Sequence, residues 1–476
     1  MAEEKGVYAL KRLAGEIKKV VGKKNASTAD EDLACYAYDA TTRYYRPDLV
    51  VFPENTRHVA SVMALAHARG VPVVPRGAGT GMTGGALAVE GGMIIVMSRL
   101  NRILSVDRHN LVAEVEPGVV TGQFQEVVEA QGLFYPPDPS SAAYSTIGGN
   151  VAECAGGPRA VKYGVTRDYV LGLEVVLPTG RVISTGVNTA KGVVGYDLTR
   201  LIVGSEGTLG IITKVILRLL PLPEVIRTLC AVYDHMEDAA ESVSEIMCSG
   251  VIPRTVEYMD RAALRCTEAY LQMGLPTDAG AMLLIDVDGS AAGADAAVGH
   301  IRAICEANGS RKTSIAESEQ EAADLWKARK SISPALFRLG PDKMNEDIVV
   351  PRSRIPEMVR WIDDLRRRTG LQMVTFGHAG DGNIHFNIML DKNDKAVLDK
   401  ARTAVEELFR HTLKLGGTLS GEHGVGITKA PYLSLELGEE EIALMKRIKA
   451  AFDPKGILNP GKIFSDHSDP ASLHGQ

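Results

Sequence analysis

An α+β chain of two domains followed by a helical segment is what this sequence predicts, on three grounds. Its 476 residues exceed what one ordinary hydrophobic core encloses, and length alone points to about two to four domains. Up to about residue 218, short apolar runs broken by glycine and proline are mixed with amphipathic stretches, a pattern of α+β domains. From about residue 224 the order is strand, helix, strand, helix, with connections long enough for antiparallel pairing, as in a ferredoxin-like sheet covered by helices on one face. The expected boundaries are 1–222, 223–420 and, for the helical segment, 421–476.

The first helix is expected around Val7 to Val21, and a short apolar strand lies between Pro47 and Pro53. "TRHVASVMALAHARG" carries apolar residues at helical spacing and stops at Gly70, a C-cap, before a strand at Val71 to Val74. Ile94 to Met97 reads as a buried strand and 121–131 as a helix. In the second region "TLCAVYDH" and "GAMLLIDVDG" are strands, "MEDAAESVSEIMCSG" is a helix and 291–307 an alanine-rich one. The last helix has Glu439 to Glu441 at its start and Lys446, Arg447 and Lys449 toward its end, which suits the helix dipole. The polar tail after Phe464 is expected to fray.

The stretch "PVVPRGAGTGMTGGALAVEGG" leads from the strand at Val71 to Val74 to the one at Ile94 to Met97, and in it Gly79, Gly81 and Gly84 have the spacing of a dinucleotide fingerprint. A Rossmann site also needs a helix opening at that loop, and none follows: the chain passes to the next strand. Successive backbone N–H groups can still cradle a phosphate as a nest, and a glycine loop without a ligand is the alternative. With 45% hydrophobic and 24% charged residues the chain is that of a soluble globular protein, and a net charge of −6 gives no reason to expect nucleic acid. The six cysteines form no C-x-x-C pair or cluster spacing, so no iron–sulfur centre is expected. No apolar run has the length of a membrane span, and the N-terminus is unlike a signal peptide, so a cytoplasmic location, peripheral to the inner face of a membrane if associated with one, is the expectation.

In "GHAGDGNIHFNIML", His385 and Asn387 alternate with Ile384, Phe386 and Ile388, so on a strand the polar pair shares one face. The Gly380-Asp381-Gly382 turn can fold His378 back toward His385. Histidines on a strand are often structural, but "SGEHGVG" adds Glu422 and His423. Two imidazoles and a carboxylate are the open-position ligand set of catalytic zinc, and they suit manganese or iron as well.

Taken together, "PRGAGTGMTGG", "PPDPSSAAYSTIGGNVAECAGGPRAVKYGVTRDYVLGLEVVLPTGRV", "VGSEGTLGIITKVILRLLP", "GHAGDGNIHFNI", "SGEHGVG" and "FDPKGILNPGKIF" resemble the FAD-linked D-2-hydroxyacid dehydrogenases of the vanillyl-alcohol oxidase superfamily. This group includes D-lactate dehydrogenase and the flavin subunit of glycolate oxidase, and the resemblance spans nearly the whole chain in order. It implies a two-subdomain, non-Rossmann FAD-binding domain, a substrate domain with the metal site, and a C-terminal segment returning to the FAD domain. By position, Arg76, Gly77, Gly79, Thr80, Gly81 and Thr83 would wrap the FAD phosphates. Pro139, Ser140, Ser141, Gly148, Gly149, Asn150, Thr166, Glu206 and Ile211 would add flavin contacts. Residues 75 to 85 hold neither His nor Cys, so the FAD is predicted to be non-covalent.

The resemblance further implies that His378, His385 and Glu422 bind a divalent metal, zinc by first choice, and that His423 is the base. "LWKARKSISPALF" maps the residue that grips the substrate carboxylate onto Arg329; without the resemblance it would read as a solvated helix charge. The same mapping would add Ser333 and Lys343 as polar contacts of the site, and Asn387 is a further candidate of the catalytic set. The implied reaction oxidises a small 2-hydroxy acid, D-lactate or glycolate first, and passes electrons to a quinone, a cytochrome, an electron-transferring flavoprotein or an iron–sulfur subunit. D-2-hydroxyglutarate oxidation, or activity only inside a glycolate oxidase complex, are the alternatives, with the chain a homodimer or part of a hetero-complex. Alkyl-glycerone-phosphate synthase shares the fold but lacks the two-histidine and glutamate set.

Overall fold

The computed structural model describes residues 2–41, 43–189 and 191–464. The stretch after Phe464, expected to fray, lies outside the described residues. The chain forms two compact units: Met1–Ala155, Val165–Leu222 and Glu422–Gln476 make the first, Gly156–Gly164 and Pro223–Gly421 the second.

The first unit contains a four-stranded sheet of β1 (Ala26–Ser27), β2 (Leu49–Val51), β3 (Val73–Arg76) and β4 (Met93–Val96) in the order β1-β2-β4-β3. β4 runs parallel to both β2 and β3, and the crossover between β2 and β3 is the helix Thr56–Arg69. Alternate strand residues go to opposite cores: Leu49, Val51, Val73, Met93 and Ile95 meet Val59, Val62, Met63 and Ala66 of that helix and Leu13 and Ile17 of the helix Ala2–Val21. Val50, Val74, Ile94 and Val96 pack with Leu33 and Ala88 on the other side. Asn55 caps the Thr56–Arg69 helix by accepting His58 N–H, and Gly70 ends it at φ 65°. Val71 N–H then donates to Ala66 C=O, closing the helix terminus, so Val71 cannot join the sheet and β3 starts two residues later than the apolar run suggests.

Between β3 and β4 the glycine-rich stretch 77–92 contains no helix, so the Rossmann arrangement is absent. A second sheet follows, built from β5 (Ile103–Asp107), β6 (Val112–Val115), β8 (Val170–Val176), β9 (Val182–Gly186) and β10 (Ile211–Arg218), antiparallel in the order β5-β6-β10-β8-β9. β7 (Leu133–Phe134) and β11 (Leu220–Pro221) form a small ladder of their own. The helix predicted at 121–131 spans Thr121–Glu129. The C-terminal part of the chain is threaded into this unit: Val73 N–H donates to Ile457 C=O and Asn459 N–H to Val73 C=O, beside β3.

The second unit is a seven-stranded antiparallel sheet of β12 (Val225–Tyr233), β13 (Thr255–Asp260), β14 (Ala281–Gly289), β15 (Lys312–Ile315), β16 (Asp342–Val349), β17 (Gln372–His378) and β18 (Asn383–Leu390). Its order is β15-β12-β14-β13-β17-β18-β16. The helix Met236–Cys248 lies on the face that Tyr233 presents, where the Tyr233 hydroxyl bonds Ser242 Oγ at 2.9 Å. The opposite face is also covered: Val232, Met259, Met282, Val374, Phe376 and Met389 pack on Leu264 of the helix Arg261–Leu271 and on Ile332 and Leu336. This corrects the expectation of helices on one face. Residues Gly156–Gly164 belong here through Asp288, which accepts from Lys162 Nζ, the Tyr163 hydroxyl at 2.8 Å and Arg254 Nη1 at 2.6 Å.

Candidate functional site

In the second unit, polar side chains gather on the face of the sheet that also carries Met259, Phe376 and Met389. β17 ends at His378, the turn Ala379–Gly382 reverses the chain, and β18 returns with His385 opposite Phe376. The turn needs its glycines: Gly382 has φ 89°, and a Cβ there would stand 2.0 Å from Val350 C=O, while one at Gly380 would stand 2.7 Å from Val161. As a result His378 Nε2 and His385 Nε2 face each other at 3.4 Å, with the rings close to perpendicular.

The other nitrogen of His378 is fixed. Its Nδ1 lies 2.6 Å from Glu257 Oε1 on the neighbouring β13, and both residues are buried. With Glu257 ionised, Nδ1 carries the proton and donates it, which leaves the Nε2 lone pair directed at His385. Glu257 in turn forms an ion pair with Arg329 Nη2 at 2.5 Å, and the guanidinium lies over the Phe376 ring. Arg329 is therefore 6% exposed and no solvated helix charge; its Nε is buried with no hydrogen-bond partner among the described residues.

On the far side of β18, Asp347 of β16 stands opposite His385. Its backbone C=O and its Oδ2 both accept from Gly421 N–H, at 2.9 and 3.0 Å. Glu422 is peptide-bonded to that anchored glycine and opens the last segment of the first unit. The same strands extend the polar row. Asn387 Oδ1 accepts from Asn345 Nδ2 at 2.8 Å, and Lys343 Nζ donates to Ser333 Oγ at 2.8 Å. Burial holds the Lys343 ammonium below its ordinary pKa.

In the first unit, the glycine-rich loop and the helix Ile147–Glu153 come together: a Cβ on Gly77 would lie 2.5 Å from Thr146 Oγ1 and 3.8 Å from Gly149 Cα. Arg76 is buried, its guanidinium stacks over Tyr36 at 5.6 Å, and burial lowers its pKa against the opposing pull of Asp39. Gly79, at φ 74°, wraps closely around that guanidinium, where a Cβ would stand 2.1 Å from Arg76 Nη2. Among the described residues Arg76 Nη1 is buried without a hydrogen-bond partner, the feature expected where an anionic ligand completes the site. These residues fit the phosphates of a dinucleotide.

Other expected flavin residues are engaged within the protein. Asn150 Nδ2 donates to Thr121 Oγ1, Thr166 Oγ1 donates to Ala155 C=O, and Ile211 opens β10 in the core. Gly148 packs where a Cβ would meet Pro117 at 2.4 Å; the carbonyls of Pro139 and Ser141 accept in the following turn, and Ser140 is exposed. Thr80 and Gly81 lie in the loop, and Thr83 Oγ1 donates to His423 C=O at 3.1 Å. Glu206 turns its carboxylate to the loop after His423, bonding Val425 and Gly426 N–H.

Sequence reasoning missed Glu257 and Asp347. Each is an acid inside an apolar strand, "TVEYMD" and "NEDIVV", and such an inward carboxylate is the signal that would find them.

A model of the FAD binding domain matches residues 47–186, and one of the C-terminal domain of FAD linked oxidases matches residues 222–463. Over 447 residues the chain is 47% identical to the glycolate oxidase subunit GlcD of Bacillus subtilis (strain 168), covering 94% of this chain and 95% of that one. It is 35% identical to a D-lactate dehydrogenase of Anaerostipes hadrus, covering 94% and 96%. A crystal structure of p-cresol methylhydroxylase with substrate bound superposes with a TM-score of 0.79 at 18% identity, over 98% of both chains, a likeness of fold. With both of its domains matched and full-length relatives at this identity, the chain belongs to the FAD-linked oxidases, as an FAD-dependent oxidoreductase.

Proposed function

We propose that this protein oxidises a small D-2-hydroxy acid, D-lactate or glycolate, to the 2-oxo acid with the help of a divalent metal. The observation that carries the reading is the pairing of His378 and His385 in the second unit, whose Nε2 atoms face each other at 3.4 Å; Glu422 is the carboxylate that the reading adds to them. Two neutral imidazoles cannot both keep lone pairs at 3.4 Å unless a proton or cation lies between them, and a buried Glu257 fixes the tautomer that favours a cation. Zinc is the first choice, and manganese and iron suit the same donors.

In this reading the residues divide the work. His378, His385 and Glu422 would hold an ion, which when bound would supply Lewis-acid polarisation of the substrate hydroxyl. His423 accepts the hydroxyl proton as the general base. Arg329 holds Glu257 in place through Nη2 and offers its buried Nε to the substrate carboxylate, with Ser333, Lys343 and Asn387 completing a polar wall. Bound FAD supplies the two-electron sink that no side chain offers. Residues 1–222 and the segment 421–476 would hold the flavin, and 223–420 the substrate and, with Glu422, the metal.

The electrons then leave to an external acceptor: a quinone, a cytochrome, an electron-transferring flavoprotein or an iron–sulfur subunit. A relative named as a subunit of glycolate oxidase favours action within a hetero-complex over a free homodimer. No helix among the described residues is long and apolar enough to cross a membrane, and a cytoplasmic, membrane-peripheral location is part of the proposal. D-2-hydroxyglutarate is the alternative substrate.

One experiment tests the reading directly. Purified protein is mixed without oxygen with a panel of D- and L-2-hydroxy acids while the flavin absorbance is followed. Fast bleaching by D-lactate or glycolate is the expected result. No bleaching by any member of the panel, before or after metal is added back to chelated protein, would refute it.

A further inference from the structure

We propose that Glu206 is a positioning residue: its carboxylate fixes the loop that presents His423, and it serves the reaction through that loop rather than by contact with the flavin. The inference rests on the reading of His423 as the base.

Both carboxylate oxygens are committed to the loop. Val425 N–H donates to Glu206 Oε1 and Gly426 N–H to Oε2, each at 2.7 Å. The residue is 5% exposed and has φ 52°, between Gly204 at φ 78° and Gly207 at φ 66°. A glycine would adopt this left-handed turn without strain, and a neutral residue would avoid the desolvation of a buried carboxylate. An acid kept at a position with both penalties points to a task for the carboxylate. Burial raises its pKa, and the two loop N–H groups, with Lys462 and Lys429, pull it back.

The loop is shaped to receive that grip. Gly424 has φ 80°, and a Cβ there would stand 2.5 Å from Glu153 Oε2 and 3.0 Å from Glu206 Oε1. Gly426 has φ 50°, and its Cβ would meet Thr83 C=O at 2.2 Å. Thr83 Oγ1 donates to His423 C=O, and Ile427 N–H donates to Thr83 C=O at 2.8 Å. Asn459 Nδ2 ties the two holders together by donating to Glu206 C=O at 2.7 Å and to Gly85 C=O at 3.0 Å. His423 is therefore pinned on one side by the glycine-rich loop and on the other by Glu206. Misplacing a reacting group by about 1 Å costs on the order of 100-fold in rate, so this grip bears on turnover.

The test uses Glu206→Gln and Glu206→Asp in the full-length, flavin-loaded protein. A glutamine presents one acceptor and one NH2 group to two N–H donors, so the grip is halved and opposed; an aspartate keeps the charge at shorter reach. Flavin content per chain should stay at the wild-type level. Amide hydrogen exchange of the peptide spanning 423–427 should accelerate in Glu206→Gln. The rate of anaerobic flavin bleaching by the 2-hydroxy acid that reduces wild type should fall about 10- to 100-fold with a half-saturating concentration within about 3-fold, and Glu206→Asp should recover part of it. Unchanged exchange at 423–427 would overturn the proposal. So would loss of flavin in proportion to activity, with an unchanged rate per bound flavin, because that marks a flavin contact. Failure of the base reading itself shows elsewhere: His423→Ala would then bleach at the wild-type rate although Glu206→Gln still loosens the loop.

Discussion

At the scale of single residues, the site is organised by what stands behind its donors. Glu257 sets the proton on His378 and is itself held by Arg329, so the chain from guanidinium to imidazole runs through one buried carboxylate. Glu257→Gln should leave the His378 ring without its charged partner and weaken zinc binding about 10- to 100-fold, measured by competition with a chelator of known affinity. A wild-type affinity in that variant would mean the acid is only structural. His423→Ala should retain FAD and lose about 100- to 10,000-fold in flavin reduction rate, the range of a general base. The alternation in "NIHFNI" and the glycine turn before it made the neighbourhood of His378 and His385 legible, because strand period and turn chemistry are local. The partner of Arg329 was not legible: Glu257 lies on a strand distant in sequence, and only sheet pairing brings it near.

At the scale of elements, turns and caps decide where the donors fall. Gly382 at φ 89° lets β17 and β18 reverse with His378 and His385 face to face. In Gly382→Ala the new Cβ meets Val350 C=O at 2.0 Å, and the turn must shift. The expected cost is about 1–3 kcal/mol of stability, read by thermal unfolding, together with loss of tight metal binding at His378 and His385. Retention of both would show that the turn tolerates a side chain. Long amphipathic helices and apolar strands of this fold were readable from period alone, as with Met236–Cys248 and Ala281–Gly289. The strand Thr255–Asp260 and the helix Arg261–Leu271 escaped, since "TVEYMDRAALRCTEAYL" runs from one period into the other without a glycine or proline between.

At the scale of the whole molecule, buried charge makes stability depend on pH. Burial lowers the pKa of Lys462 from 10.5 to about 8, while Nζ donates to Leu87 C=O. Between these values the unfolded chain binds a proton that the folded chain has released, so the contribution of this residue to stability rises as pH climbs from about 8 toward 10.5. Relative to Lys462→Met, wild type should gain in denaturant midpoint between neutral pH and about pH 10. A constant difference would show that the ammonium is not desolvated. The flavin should be released by acid precipitation, since residues 75–85 carry neither His nor Cys; a pellet that stays yellow would show a covalent link. Motif order along the whole chain made the family legible, whereas the pairing of distant segments within each unit follows from packing that no local pattern encodes.

The threading of Ile457 and Asn459 alongside Val73 has a consequence for biosynthesis. The ribosome makes the whole of Pro223–Gly421 before it makes the residues that finish the first unit. The nascent amino-terminal half must therefore wait, with an edge of its sheet open, while the later half folds. Flavin loading would be a late event in the life of each chain, and a chaperone that shields that edge in the interval would raise the yield of holoprotein.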